Sequence, residues 1–127
     1  MTERSQVYKC LVCGIVVEVL DGGIGEPVCC GQPMQLMREQ TAGPHAELHR
    51  LSVETIPEGV RVRVGGPDGH PTEPRHYVQW IEAASPSAAC RRHLEPGDPP
   101  EALFPLGGER LTVRAFCNVH GLWKGAT

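Results

Sequence analysis

At 127 residues the chain has room for one ordinary domain, or for a very small one followed by a domain of about 80 to 90 residues, and a domain below about 40 residues leans on a metal or on disulfides. A formal net charge of -3 gives no basic footprint for nucleic acid, and no apolar run approaches the roughly 18 residues of a membrane span. Four of the six cysteines, Cys10, Cys13, Cys29 and Cys30, crowd the start of the chain, while Met1-Thr2-Glu3-Arg4-Ser5-Gln6 lacks the apolar region of an export signal, so the expected setting is the cytoplasm, with reduced thiols on metal.

In chain order, Tyr8-Lys9-Cys10-Leu11-Val12-Cys13-Gly14 places two thiols on a turn, and Gly14 can supply the positive φ that lets backbone amides face sulfur. Ile15-Val16-Val17-Glu18-Val19-Leu20 is rich in β-branched residues and predicts a strand, followed by a glycine-rich turn at Asp21-Gly22-Gly23-Ile24-Gly25. Pro27-Val28-Cys29-Cys30-Gly31 then returns the second pair of thiols, which makes Cys10, Cys13, Cys29 and Cys30 a tetrahedral sulfur site. Cys-x-x-Cys alone favours a structural zinc ribbon. Adjacent cysteines are an uncommon zinc spacing and soft thiolates also suit iron, so zinc and iron both stand at this point.

Residues 37–46 carry no periodic apolar pattern and contain Gly43-Pro44, which predicts a linker between a small domain at 1–36 and a larger one at 47–127. From Glu47 onward the period is two: Leu51, Val53 and Thr55 alternate with polar residues, and Val60, Val62 and Val64 alternate with Arg61 and Arg63. Tyr77-Val78-Gln79-Trp80-Ile81 and Leu111-Thr112-Val113-Arg114-Ala115-Phe116 are further predicted strands, with turn signals at 57–59, 65–69, 85–86 and 96–100. No apolar set recurs at helical spacing. The chain is predicted to be all-β, its larger domain an antiparallel β-sandwich or barrel.

The last predicted strand and turn deliver Cys117 and His120 to one place, because Cys-x-x-His after a strand lets both side chains face a single ion. His49, His70 and His76, several of them at strand ends or in turns, join these two in a group of one thiolate and four imidazoles that points to iron rather than zinc. Taken singly, each has a plainer explanation, since a lone histidine is usually solvated or hydrogen-bonded and a lone cysteine in a β-core acts as a small apolar side chain. Cys90 and His93 are assigned those plainer roles, a core thiol and a surface histidine.

Two sets of motifs resemble one family. Tyr8-Lys9-Cys10-x-x-Cys13-Gly14, Glu18-Val19-Leu20, Gly22-Gly23 and Pro27-Val28-Cys29-Cys30-Gly31-x-Pro33-Met34 resemble the desulforedoxin-type domain that opens desulfoferrodoxins, the two-iron superoxide reductases. Glu47-x-His49, Gly69-His70-Pro71, His76-Tyr77-Val78-x-Trp80-Ile81-Glu82, Leu94-x-Pro96-Gly97-Asp98-x-Pro100-Glu101-Ala102 and Phe116-Cys117-Asn118-x-His120-Gly121-Leu122-Trp123-Lys124 resemble their neelaredoxin domain.

The resemblance implies a small rubredoxin-like or desulforedoxin-like metal knuckle holding iron on four thiolates, then an immunoglobulin-like sandwich holding a second iron. In the family the histidines matching His49, His70, His76 and His120 lie in a plane about that iron, the cysteine matching Cys117 is axial, and the sixth position is open. The implied reaction is one-electron reduction of superoxide to hydrogen peroxide, with a rubredoxin-like electron donor and a homodimeric assembly.

Glu47 matches the family glutamate that closes the open position in the resting state. Beside it the family pattern reads Glu-Lys-His, whereas this chain reads Glu47-Leu48-His49, and a leucine neither attracts an anion nor orders a proton-delivering water. Leu48 leaves two other readings in play: dioxygen-dependent oxidation of an organic substrate, and electron transfer without catalysis. Arg50, Arg75 and His45 are the nearby candidates for the missing charge or proton.

Overall fold

Alternating apolar and polar residues, interrupted by turns rich in glycine and proline, produce short strands joined by tight connections in the computed structural model, which describes residues 1–107 and 110–126. The chain divides into two units, Met1–Arg38 and Glu39–Thr127. No helix among the described residues is long and apolar enough to cross a membrane.

In the first unit, β1 (Val7–Lys9) is flanked by β2 (Val16–Glu18) and β5 (Gln35–Met37), both antiparallel to it, while β3 (Val28–Cys29) and β4 (Gln32–Pro33) make a minimal hairpin. β2 occupies the middle of the stretch predicted as a strand. The core is small: Tyr8, Cys10 and Met34 pack with Val17, Val19, Cys29 and Leu36, whereas Leu11, Val12, Leu20, Ile24 and Val28 stay exposed. So little buried apolar surface cannot offset the chain entropy of 38 residues, which leaves the thiol cluster as the main tie.

The second unit is a sandwich of two antiparallel sheets. One has the order β10-β7-β6, from β6 (Leu51–Ile56), β7 (Gly59–Val64) and β10 (Glu101–Phe104). The other has the order β12-β11-β8-β9, from β8 (Val78–Ala84), β9 (Ala89–His93), β11 (Thr112–Cys117) and β12 (Gly121–Ala126). Val60, Val62, Val64, Ala102 and Phe104 from the first face Val78, Ile81, Ala83, Val113 and Ala115 from the second. Of the two closures predicted, the sandwich is the one formed, and there is no closed barrel.

β6, β7, β8 and β11 fall where period-two alternation places them. β9 carries Arg91, Arg92 and His93 on a sheet edge, where charge discourages pairing with other chains and hides the apolar signal. Cys90 on this strand packs against the core and His93 is exposed. β10 is only four residues long, and β12 contains Gly125, where an added Cβ would lie 3.0 Å from the Leu51 side chain. Glu39 and Gln40, inside the segment read as a linker, are built into the second unit: the Gln40 backbone bonds to Leu122 and Lys124, and the Glu39 carboxylate pairs with Arg114 and Lys124.

On the face of β8 and β11 away from the sandwich core, Glu82 and Arg114 form a buried pair. Glu82 Oε1 accepts from Arg114 Nε at 2.8 Å, Oε2 accepts from Nη2 at 3.1 Å, and Arg91 also bonds to Oε2. Arg91 lies 4.7 Å over the Trp80 ring. Burial pushes the Glu82 carboxyl up, but the hydrogen bonds and charge of Arg114, together with Arg91, outweigh it and hold the group below its ordinary value of 4.5. Glu82→Ala strands the Arg114 guanidinium without its main partner and should cost about 3 kcal/mol near neutrality. Because the folded carboxyl is the stronger acid, its stabilisation is complete above the ordinary carboxylate range and is lost as pH falls through the folded value. Denaturant midpoints of wild type and variant, measured against pH, should therefore converge in acid.

Candidate metal centres

The first centre is built from two turns. Cys10 follows β1, Gly14 takes φ 84° as its position requires, its amide donates to the Cys10 carbonyl at 2.9 Å, and the Cys13 amide donates to Cys10 Sγ at 3.4 Å. Neighbouring residues on a strand point to opposite faces, so adjacent cysteines cannot share a site on extended backbone. Cys30 solves this with a left-handed φ of 52°, which brings its sulfur to 3.9 Å from Cys29 Sγ, itself 3.7 Å from Cys13 Sγ. A tetrahedral ion with metal–sulfur bonds of about 2.3 Å needs edges of about 3.8 Å.

Backbone amides, that of Cys13 foremost, bring the Cys10 thiol down to about 6. Cys10 and then Cys13 push Cys29 up to about 12, and Cys13 foremost raises Cys30. Four sulfurs this close cannot all ionise side by side without a cation among them, and the donor set fits one.

The second centre draws on four separate stretches. His49 ends the 3₁₀ turn Glu47–His49, and His70 ends the Gly65-Gly66-Pro67-Asp68-Gly69 loop. Gly65 has φ 101°, and a Cβ there would lie 2.5 Å from the His70 amide nitrogen, so glycine is what allows the loop to close and present His70. His76 is set by a tight turn in which Glu73 and His76 exchange backbone bonds at 3.0 Å in both directions. Cys117 closes β11 and His120 sits in the turn before β12, where its amide donates to Cys117 Sγ at 3.4 Å.

The four imidazoles form a closed square, with ring centroids 4.8 Å apart for His49 and His70, 4.8 Å for His70 and His76, 5.0 Å for His76 and His120, and 5.1 Å for His120 and His49. The donor atoms of His49, His70, His76 and Cys117 all lie within 4.8 Å of one another. His120 stands outside that tightest group but brings Nδ1 to 3.9 Å from Cys117 Sγ.

Protonation makes this cluster fit a metal. His49 Nδ1 bonds to the His45 carbonyl at 2.8 Å and His70 Nδ1 to the Pro71 carbonyl at 2.7 Å. A carbonyl only accepts, so both Nδ1 atoms carry hydrogen and both Nε2 atoms of the neutral rings present lone pairs. Burial brings His49 down to about 4, and lowers His70 and His120 as well, which keeps the rings neutral. Yet His49 Nε2 and His70 Nε2 face each other at 3.2 Å, and His76 Nε2 is buried with no hydrogen-bond partner among the described residues. Converging lone pairs beside a buried cysteine sulfur are a cation site.

Of the other residues singled out in the sequence, Glu47 is 82% exposed at its side chain and pairs with Arg50 Nη1 at 3.5 Å. Leu48 is half-buried, and Arg75 is exposed, its carbonyl accepting from Asn118 Nδ2 at 3.1 Å. Sequence reasoning missed three braces. Asn118 Oδ1 also accepts from the Tyr77 amide at 2.9 Å, tying the Cys117–His120 turn to the His76 loop. Trp123 stacks on His49 at 4.5 Å and 3° between planes, and donates Nε1 to the His120 carbonyl at 3.2 Å. Gln40 Nε2 donates to the same carbonyl at 2.8 Å. Only Asn118 left a signal, a side-chain amide between Cys117 and His120 in one short turn.

A four-thiol knuckle followed by a sandwich with a histidine–cysteine cluster defines a two-centre, all-β metalloprotein. A model of the N-terminal domain of desulfoferrodoxin matches residues 2–37, and a desulfoferrodoxin model matches residues 37–126. The chain is 50% identical over 124 residues to the desulfoferrodoxin of Syntrophotalea carbinolica, covering 98% of each. It is 32% identical over 96 residues to the superoxide reductase of Pyrococcus horikoshii, covering 61% of this chain and 84% of that protein. The crystal structure of the superoxide reductase from Treponema pallidum shares the fold with a TM-score of 0.78, over 94% of this chain and 96% of that one, at 24% identity. This chain belongs to the desulfoferrodoxin family.

Asn118→Ala removes a brace without touching a donor atom. It should weaken iron retention at the second centre by about tenfold, measured by chelator competition, while the four-thiol centre keeps its visible absorption.

Proposed function

We propose that the chain is a superoxide reductase, reducing superoxide by one electron to hydrogen peroxide at a non-haem ferrous centre held by His49, His70, His76, His120 and Cys117. The observation that carries this is the closed square of four imidazoles with one buried cysteine sulfur beside it. Ferrous iron bound there supplies the single electron and a coordination position open to a small anion.

The chain's own groups set the terms. Four neutral rings and one thiolate leave a divalent ion with net positive charge, which draws an anion rather than a neutral organic molecule. Carbonyls of His45 and Pro71 hold His49 and His70 in the tautomer that aims Nε2 inward, and the His120 amide steadies the Cys117 sulfur. The reaction consumes one electron and two protons for each superoxide and forms no dioxygen. Glu47 is proposed to cover the open position at rest; in the structure it is held by Arg50.

Neither reading raised by Leu48 is favoured. An organic substrate is disfavoured by the net positive charge that the donor set leaves on a divalent ion, which selects for a small anion. A pure electron carrier closes its coordination shell with protein donors, as the four-thiol knuckle does. Five donors at the second centre leave room for a substrate.

This family holds iron at both centres, and the chain carries both ligand groups. The four-thiol iron is proposed as an auxiliary electron centre fed by a rubredoxin-like donor; zinc would satisfy the same sulfurs and carry no electron. The remaining proposals are a cytoplasmic setting, suited to reduced thiols, and a homodimer, to be tested by light scattering.

A stopped-flow pulse of superoxide on the pre-reduced protein should oxidise the second centre and yield hydrogen peroxide without matching dioxygen. An inert ferrous centre would sink the assignment. Arg50 and Lys124 are each paired with a carboxylate, Glu47 and Glu39. Leu48→Lys should therefore raise the second-order rate by about tenfold and steepen its dependence on salt, both read in the same instrument.

A further inference from the structure

We infer that His45 is a positioning residue of the second centre, a clamp that fixes the His120 ring with its side chain and the His49 ring with its carbonyl. The inference rests on the proposed assignment of His49 and His120 to one centre.

His45 has φ 68°, a left-handed conformation uncommon outside glycine, which histidine enters more readily than most side chains but still at a cost. Such a backbone persists where the surroundings over-determine it. Here they do so from two sides. The carbonyl accepts from His49 Nδ1 at 2.8 Å, which sets the tautomer of that ring. The imidazole lies on His120, with centroids 4.0 Å apart and planes 29° from parallel. The residue is exposed, so core packing does not account for a bulky ring on left-handed backbone.

Trp123 shows the same device in reverse. Its ring stacks on His49 and its Nε1 bonds the His120 carbonyl, whereas the His45 ring stacks on His120 and its carbonyl bonds His49. Each brace therefore touches both histidines, one by ring and one by hydrogen bond. His120 needs this most, because it sits in the turn between two strands: its ring meets Cys117 Sγ, His49 and His76 inside the cluster, and outside the cluster Gln40 and Trp123 hold only its carbonyl. Without His45 the His120 ring is freer to rotate away from the cluster. The stack also anchors the stretch that leads into Glu47 and Leu48.

His45→Gly keeps the left-handed backbone and its carbonyl while removing the ring. In the full-length, iron-loaded protein this variant should lose iron from the second centre to a chelator about tenfold faster than wild type, with a broadened thiolate-to-ferric absorption band. The four-thiol absorption serves as the internal control for folding and should not change. His45→Phe restores an aromatic face with no titratable nitrogen, and should bring retention back to within about threefold of wild type and narrow the band. Retention by His45→Gly equal to wild type would overturn the clamp. So would a folded His45→Phe as leaky as the glycine variant, because the stack would then not be what holds the centre. Neither readout depends on superoxide turnover. Iron-loaded protein that ignored superoxide would defeat the proposed activity and leave the clamp to be judged on these data.

Discussion

His49 Nε2 and His70 Nε2 face each other at 3.2 Å with no proton between them, and the rest of the second unit is arranged to keep them so. Two carbonyls take the hydrogens from the far side of each ring, and burial keeps both rings neutral. Such an arrangement is unfavourable in the absence of a cation, since lone pairs repel and water is excluded. The fold therefore meets an energetic cost that metal binding relieves. The braces around the rings resist the relaxation by which an empty site would otherwise spread apart.

The two units meet the same problem with different resources. In the sandwich, Val62, Val64, Ile81 and Val113 are fully buried between two sheets, and the loops that bring the histidines together are carried at strand ends. In the first unit the apolar cluster around Tyr8 and Met34 is too small to do this, and the thiols are part of the core themselves: Cys10 is buried and Cys29 packs against that cluster. The sandwich positions its centre, whereas the knuckle is largely held together by its own.

Most of this was legible before the structure. Val60, Val62 and Val64 declared a strand by alternating with arginine, and the thiol spacing declared a tetrahedral site once Cys30 was allowed to turn. The histidines were not legible one by one, since each alone has a plainer role; the family resemblance implied their plane, and their order around it follows from loops that meet only in three dimensions. β9 and β10 escaped notice because an edge strand and a four-residue strand pair through backbone and need little apolar pattern. Trp123, Gln40 and Asn118 escaped for another reason. Apart from the Trp123 bond to the His120 carbonyl and the place of Asn118 beside Cys117, their contacts reach neighbours 74, 80 and 41 residues away, a separation that no local window spans.

That spread of ligands along the chain sets the order in which the protein matures. The four thiols all belong to the first unit and are complete once residue 30 has been made, so the knuckle can take its ion while the rest is still being synthesised. The histidine–cysteine centre has Cys117 and His120 among its donors, on the last hairpin, and both sheets must pair before the loops converge. Metal capture at the sandwich therefore belongs to the last stage of folding, whereas at the knuckle it can belong to the first.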